Sequence, residues 1–119
     1  VPVCADESVF TAADAIEIVR TGCADAINIK LMKSCIIEAL DIAAIARSAN
    51  LKLMIGCMVE TNLALGCAVH FAAGVGGFEF VDLDPSFDAS ECPVSGGPVY
   101  RAPHWTIGPE AGLGFRSRQ

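Results

Sequence analysis

The sequence predicts an α/β fold in which parallel strands alternate with helices, amounting to about half of a (β/α)8 barrel. Hydrophobic residues recur with helical and strand-like periods in turn along residues 1–84. Candidate strands end at Asp6, Lys30, Glu60 and Asp82–Asp84, so successive repeats are 24, 30 and 22 residues long. A complete barrel has eight units of about 31 residues. Strands alternating with helices of this length are typical of βαβ units.

The first predicted helix covers residues 11–22. Thr11 and Asp14 form a capping-box pattern at its start, and Gly22 is suited to end it. The next element is a strand over residues 26–32, because Asn28, Lys30 and Met32 alternate with apolar neighbours.

The remaining elements follow the same order along the chain. They are a helix over 34–48, a strand over 51–59, an almost wholly apolar helix over 62–73 and a strand over 78–84. Residues 85–119 are rich in Gly and Pro and predict a loop-rich tail with short strand pieces. We therefore divide the chain into a half-barrel, 1–84, and a C-terminal tail, 85–119, that packs on the barrel or on a capping domain. His104 and Trp105, in this tail, support no specific assignment.

Composition excludes several classes of protein. The chain has 119 residues, of which 53% are hydrophobic and 18% charged, so it is not a disordered polypeptide. Polar or charged residues interrupt every apolar run before eighteen positions, which predicts no membrane span. The net charge of -6 and the lack of a basic run argue against nucleic-acid binding. No Gly-x-Gly-x-x-Gly supports a dinucleotide site. The chain starts without Met or a signal-peptide pattern, as expected for part of a longer protein.

Six cysteines occur at spacings that match neither a zinc site nor a disulfide framework. Most of them lie in apolar runs, where free cysteine is usually a small buried hydrophobe. We therefore predict free, buried thiols in a reducing, cytoplasmic compartment.

Ionisable residues collect where the predicted strands end: Asp6, Lys30, Glu60, Asp82 and Asp84. In a barrel the carboxyl ends of the strands form the active-site mouth. Charges gathered at one end of otherwise apolar strands therefore indicate an active site.

Each of these residues also has a structural interpretation. Asp6 or Ser8 could cap the following helix, and Asp84 could begin a turn with Pro85. Asp82 and Asp84 share a strand face, where they repel each other unless a cation lies between them. A lysine on a strand face like that of Lys30 is inward-facing or paired, which favours a functional role. Four further basic residues are predicted to be solvated: Arg20, Lys33, Arg47 and Lys52.

The sequence resembles the C-terminal half of enolase-superfamily enzymes of the muconate-lactonizing subgroup. Residues 5–8 and 27–33 resemble the fifth and sixth barrel strands, and residues 55–61 resemble the seventh. Gly96-Gly97 and residues 109–114 are similar to the C-terminal tail. The Asp-x-Asp at 82–84 is similar to that of the dipeptide epimerases of this superfamily. The resemblance thus implies strands five to eight of the barrel.

The resemblance also implies roles for individual residues. Such enzymes move a proton at the α-carbon of a dipeptide carboxylate, through an enediolate that Mg²⁺ stabilises. Asp6 would be the third metal ligand, and Lys30 one of two acid/base lysines, its pKa lowered by the nearby cation. Glu60, the second implied catalytic residue, would lie behind the metal ligands or help to orient the intermediate. The implied substrate-binding residues are Asp82 and Asp84, which pair with the dipeptide's ammonium group, together with Cys57 and Met58.

The family's capping domain, second lysine and first two metal carboxylates would precede Val1. Alone, the chain is therefore expected to be inactive and to need the missing N-terminal half, or another copy of itself, as a partner. Two alternatives remain open: a relative of muconate cycloisomerase or o-succinylbenzoate synthase, and a non-catalytic half-barrel that only assembles with a partner.

Overall fold

The computed structural model describes residues 1–84 and 94–118. Its main sheet has four parallel strands in sequential order: β1 (Cys4–Ala5), β2 (Ala26–Ile29), β3 (Lys52–Gly56) and β4 (Phe78–Asp82). Three helices connect them: α1 (Ala12–Thr21), α2 (Leu31–Ser48) and α3 (Asn62–Val75). The predicted α/β order with a parallel sheet is confirmed. None of the helices in the described ranges is both long and apolar enough to cross a membrane.

The C-terminal part forms two small antiparallel ribbons. One pairs β5 (Val94–Gly96) with β8 (Phe115–Ser117), and the other pairs β6 (Val99–Arg101) with β7 (His104–Thr106). The expected short strand pieces are therefore present. The proposed turn at Asp84–Ser86, the start of the tail and Cys92 involve residues 85–93, which lie outside the described residues. The division of the chain at residue 84 stays a prediction.

Strand register separates the sheet into an apolar and a polar face. Ile27 pairs with Leu53 and Ile29 with Ile55, and all four side chains are almost fully buried. They belong to a core that also contains buried residues of all three helices. Asn28, between the two isoleucines, points to the opposite face, because side chains alternate along a strand. The helices thus cover one face and leave the other to carry polar groups.

Helix α1 begins and ends at the predicted residues. The Thr11 hydroxyl accepts a hydrogen bond from the Asp14 N–H at 3.3 Å, and the Asp14 carboxylate accepts one from the Thr11 N–H at 2.8 Å. Gly22 ends the helix at φ 63°, a left-handed conformation that glycine adopts without a steric penalty. Because Thr11 is the N-cap, the interpretation of Asp6 or Ser8 as the cap is wrong.

The Asp14 carboxylate makes the N-terminal cap of α1 sensitive to acid. Hydrogen bonds from the backbone N–H groups of Phe10 and Thr11 hold the pKa of Asp14 below its ordinary value. The stabilisation is therefore complete above the ordinary aspartate pKa of about 3.9 and is lost as the pH falls through the lower folded value. An NMR titration of the Asp14 carboxyl group should give a midpoint below the ordinary aspartate value of about 3.9. A midpoint at or above that value would contradict the prediction.

Three predicted strands are longer than the observed ones, since β4 also ends at Asp82, two residues before its predicted end. Strand β2 ends at Ile29, and Lys30, still extended at φ -127° and ψ 121°, is the N-cap of α2. Met32 consequently lies in a helix and not on the strand face of Lys30. Strand β3 ends at Gly56, so residues 57–59 belong to the loop before α3. Short apolar runs do not distinguish the end of a strand from the start of a helix.

Helix α2 contains a sharp interruption at Cys35. This residue adopts φ 58° and ψ -178°, a region of backbone conformation that is essentially reserved for glycine. Its exposed side chain contributes little packing that could offset the strain.

We expect the substitution Cys35→Gly to raise the free energy of unfolding by about 1 kcal/mol, because it relieves this backbone strain. Urea unfolding followed by circular dichroism measures the effect. Cys23→Gly is the matched control, because Cys23 is also exposed but has no positive φ. A gain at Cys23 equal to that at Cys35 would contradict the explanation.

The predicted burial of the cysteines is wrong for the described residues. Cys4, Cys23 and Cys35 are exposed, and Cys57 and Cys67 are half-buried; all five are free thiols. The apolar runs that contain them include the outer faces of helices and strand ends, and sequence alone does not show which positions of a run face solvent.

Candidate active site at the carboxyl edge of the sheet

The register brings the charged strand ends to two neighbouring levels of the polar face. Ala5 pairs with Ile27, so Asp6 follows beside Asn28. Because Ile29 pairs with Ile55, the next residue, Lys30, lies beside Gly56, which in turn pairs with Asp82. Residues at the same level of a parallel sheet point to the same side. Lys30 and Asp82 therefore flank a glycine on the edge where all four strands end.

Lys30 is the centre of an ion-pair network with the end of β1. Its ammonium nitrogen lies 2.8 Å from Asp6 Oδ2 and 3.0 Å from Glu7 Oε1. The Lys30 side chain is only 11% exposed. The inward-facing, paired lysine expected from the sequence is therefore what the structure contains.

A second lysine, Lys33, is the most deeply buried cation of the site. Its side chain is 1% exposed, and Nζ donates to Asp6 Oδ1 at 2.8 Å, to the Asp6 carbonyl at 2.5 Å and to the Asn28 carbonyl at 3.0 Å. All three ammonium hydrogens have acceptors. The prediction that Lys33 is solvated is wrong, because the first turn of α2 directs it under the ends of β1 and β2. The outward positions predicted for Arg20, Arg47 and Lys52 are confirmed.

The two carboxylate oxygens of Asp6 consequently have different partners. Lys33 contacts Oδ1, whereas Oδ2 faces Lys30 and accepts a hydrogen bond from Asn28 Nδ2 at 3.0 Å. Burial raises the pKa of Asp6, but the hydrogen bonds from Lys30, Lys33 and Asn28 outweigh it, so that the pKa is lowered overall. Asp6 is therefore ionised and held in one orientation.

The carboxylates also determine the charge of Lys30. The hydrogen bond to Asp6 raises the pKa of Lys30; burial opposes this, and the contact with Glu7 adds to it. The pKa of Lys30 is thus raised overall, whereas the family resemblance implies that a nearby metal cation lowers it. In the observed arrangement Lys30 is an ammonium group, so it can donate a proton as it stands.

Asn28 and Gly56 shape the floor of the site, and sequence reasoning gave neither a role. A Cβ atom at Gly56 would lie 2.6 Å from Asn28 Oδ1, so only glycine leaves room for the amide. Asn28 Oδ1 is buried and has no hydrogen-bond partner. The one available sequence signal was that Asn28 shares a strand face with Lys30.

A second cluster of polar side chains lies at the loop between β3 and α3. Glu60 Oε1 accepts a hydrogen bond from the Met58 N–H at 2.9 Å, while Glu60 Oε2 is buried without a partner. Burial raises the pKa of Cys57, a hydrogen bond from the Asp84 N–H lowers it, and the charges of Glu60, Asp84 and Asp82 raise it, so that the pKa is raised overall. The structure thus brings Cys57, Glu60 and both aspartates together. Met58 lies in the same loop, where its backbone N–H contacts Glu60 and the residue is 42% exposed.

Asp6 has the chemistry of one magnesium ligand. Mg²⁺ prefers carboxylate oxygen, and Asp6 Oδ2, which now faces the Lys30 ammonium at 2.8 Å, would be open to a metal if that ammonium moved aside. Among the described residues, no group of three or more His, Cys, Asp and Glu side chains could hold a metal ion. The described residues therefore fit Mg²⁺ as one contributor to a site and not as the whole of it.

Comparisons with known proteins agree with this architecture. The sequence profile of the enolase C-terminal domain-like family matches residues 1–119. An L-Ala-D/L-Glu epimerase from Thermotoga maritima is 55% identical over 83 residues, which are 70% of this chain and 24% of that protein. A mandelate racemase/muconate lactonizing enzyme from Roseiflexus sp. superposes with a TM-score of 0.93 at 52% identity, covering all of this chain and 34% of that one.

A third comparison includes bound ligands. The dipeptide epimerase from Enterococcus faecalis, solved with Mg and the dipeptide L-Leu-L-Tyr, has a TM-score of 0.89 and 44% identity. The match covers 98% of this chain and 34% of the other. This chain thus spans about a third of the solved structures that it matches and about a quarter of the Thermotoga protein. Together with the half-barrel arrangement of strands and helices, these matches show that the chain belongs to the enolase C-terminal domain-like family.

Proposed function

We propose that this chain is the C-terminal third of a Mg²⁺-dependent dipeptide epimerase, in which Lys30 transfers the α-proton and Asp82 and Asp84 bind the substrate's ammonium group. The observation that carries the proposal is the register of β2, β3 and β4. It sets the buried, paired Lys30 and the exposed Asp82 at one level of the polar face, with Gly56 between them.

The distance between Lys30 and Asp82 along the sheet edge suits a dipeptide. Neighbouring strands lie about 4.8 Å apart, so Lys30 and Asp82, two strands apart, are separated by about 10 Å along the sheet edge. Successive α-carbons of a peptide are about 3.8 Å apart. With the C-terminal α-carbon against Lys30, the α-ammonium of the preceding residue would extend towards Asp82 and Asp84. A carboxylate pair is suited to a cation there, because it relieves their mutual repulsion.

The chain's own residues divide the work at the α-carbon. Lys30 holds or releases the proton on one face of the carbon, while Lys33 and Asn28 hold Asp6 in place. Asp6 Oδ2 would serve as one metal ligand, after Lys30 has moved away from it. Mg²⁺, when bound, supplies positive charge to the substrate carboxylate as the α-proton leaves. Glu60, Cys57 and Met58 would line the β3–α3 side of the substrate.

Epimerisation also needs a proton-transfer group on the opposite face of the α-carbon and further metal ligands. We therefore propose that this chain works only when joined to the remaining two thirds of the enzyme, as one polypeptide or as separate chains. Its position in a reducing cytoplasm is part of the same proposal.

The first test is the natural protein itself. The mass of the assembled enzyme should be at least about three times that of this chain, since the chain covers about a third of its structural matches. Incubation with Mg²⁺ and L-Ala-L-Glu in D₂O should then introduce deuterium at the C-terminal α-carbon, detected by NMR. A protein that assembles fully but exchanges no α-proton from any of a panel of dipeptides would contradict the proposed function.

A second test separates a dipeptide epimerase from a muconate-type enzyme. D82N/D84N should raise KM about 10-fold or more for dipeptides with a free ammonium group, because two charge-assisted contacts are lost. N-acetyl dipeptides, which carry no ammonium charge, serve as the control substrates. Turnover of a lactone-forming dicarboxylate that survives D82N/D84N would favour the muconate cycloisomerase alternative.

A further inference from the structure

The indole of Trp105 is attached to the peptide backbone between the two aspartates. Its Nε1–H donates a hydrogen bond to the carbonyl oxygen of Leu83 at 3.1 Å, across 22 positions of sequence. Trp105 is the central residue of β7. A side chain of the C-terminal ribbons thereby reaches the residue that separates Asp82 from Asp84.

Leu83 is fixed on two sides. Its side chain is 6% exposed and belongs to the hydrophobic core, while its carbonyl oxygen is held by Trp105. Asp82 and Asp84, on either side of it, are exposed. Each aspartate Cα shares a planar peptide unit with the Cα of Leu83. Fixing the side chain and the carbonyl of Leu83 therefore restricts the orientation of both peptide planes. The directions in which the two carboxylates leave the backbone follow from those planes.

Trp105 is itself held firmly. It pairs with Tyr100 across the β6–β7 ribbon, and the two rings are tilted with centroids 5.1 Å apart. The indole also packs against the buried core cluster. An aromatic side chain with these contacts has lost its rotamer freedom already, so its N–H is in place for Leu83 without further ordering cost.

Strand β4 needs such support because it is the last strand of the described sheet. On one side, β4 pairs with β3 through ladder hydrogen bonds as far as Asp82. On the same side, the Cys57 thiol accepts a hydrogen bond from the Asp84 N–H. Beyond Asp82 the ladder ends, and the Trp105–Leu83 hydrogen bond supports the backbone from the ribbon that follows in sequence.

We infer that Trp105 is a positioning residue for the recognition of the substrate's α-ammonium group: it holds the Asp82–Asp84 backbone so that both carboxylates face one cation. This inference deepens the proposed function and rests on it. Trp105 need not touch the substrate, and its effect is exerted through Leu83.

The test uses the complete natural enzyme and two variants. W105F keeps an aromatic ring and removes the N–H, and Y100F is the matched control, which changes the partner ring by one hydroxyl and leaves the Leu83 contact intact. For each protein, kcat and KM are measured with L-Ala-L-Glu and with its N-acetyl derivative. If W105F loses its folded structure, 3-benzothienylalanine at position 105 keeps the fused ring and lacks the N–H.

W105F should raise KM for the free dipeptide about 3- to 10-fold, the range expected for one hydrogen bond, and leave kcat within about twofold. The N-acetyl derivative should change less than about twofold, so that discrimination between the two substrates falls. Y100F should behave as wild type. The indole N–H signal of Trp105, identified by its loss in W105F, should also shift when L-Ala-L-Glu is added to the wild-type enzyme.

Other outcomes separate the two proposals. Equal losses for both substrates in W105F, or undiminished discrimination, would overturn the positioning role alone. A wild-type enzyme that handles the free and acetylated dipeptides equally well would overturn ammonium recognition by Asp82 and Asp84, and with it this inference.

Discussion

Lys30→Met in the complete enzyme is expected to lower kcat for α-proton exchange by a factor of about 10² to 10⁴, the usual contribution of a general acid or base. Methionine keeps most of the apolar stem that the buried site accommodates and removes the ammonium group. The proposed proton transfer on one face of the α-carbon is then lost, while Asp6 keeps its contacts with Lys33 and Asn28. Deuterium uptake from D₂O at the substrate α-carbon measures the loss.

Lys30→Arg distinguishes proton transfer from charge pairing. Arginine retains a positive charge for Asp6 and Glu7, but it does not give up a proton in proteins. We therefore expect Lys30→Arg to lose exchange nearly as fully as Lys30→Met. Lys52→Met is the control. Lys52 is half exposed and pairs with Glu79 at 2.9 Å, at the start of β3 and far from the carboxyl ends of the strands. Normal kcat in either Lys30 variant would remove this residue from the mechanism.

Lys33→Met is expected to lower the free energy of unfolding by about 2–4 kcal/mol, because it removes one partner of a largely buried ion pair. Three acceptors each lose one donor at once: the Asp6 carboxylate, the Asp6 carbonyl and the Asn28 carbonyl. The Asp6 carboxylate is partly accessible to water, so the expected cost lies at the lower end of the range known for buried pairs.

Urea unfolding, followed by tryptophan fluorescence and circular dichroism, measures this cost. Lys52→Met serves again as the matched change, and it should alter the free energy of unfolding by no more than about 0.5 kcal/mol, as is usual for surface pairs. Lys33 should also be the slower of the two to react with an amine-specific acylating reagent. Equal destabilisation by the two substitutions would show that Lys33 is not buried as the structure has it.

Lys30 and Lys33 show which side-chain positions can be predicted from the sequence and which cannot. Both follow an apolar strand, three residues apart, and pattern alone singled out Lys30 because it alternates with isoleucines. Lys33 follows the observed end of that alternation and was predicted to be solvated. Its burial depends on Asp6, 27 residues away, and on a helix that begins at Leu31, earlier than the pattern indicates.

The sequence by itself determined the order of strands and helices, the caps of α1 at Thr11, Asp14 and Gly22, and the gathering of charges at the strand ends. These features depend on residues within a few positions of one another, so local pattern is sufficient to predict them.

Only the tertiary structure decided which of those charges meet and what holds them. The Asp6–Lys33 pair and the Trp105–Leu83 hydrogen bond join residues 27 and 22 positions apart. Such contacts depend on strand register and on the path of later segments. Neither of these can be read from the hydrophobic periodicity of the sequence. For the same reason, the exposure of individual cysteines was decided by how each helix is turned against the sheet, and apolar neighbours in sequence do not report it.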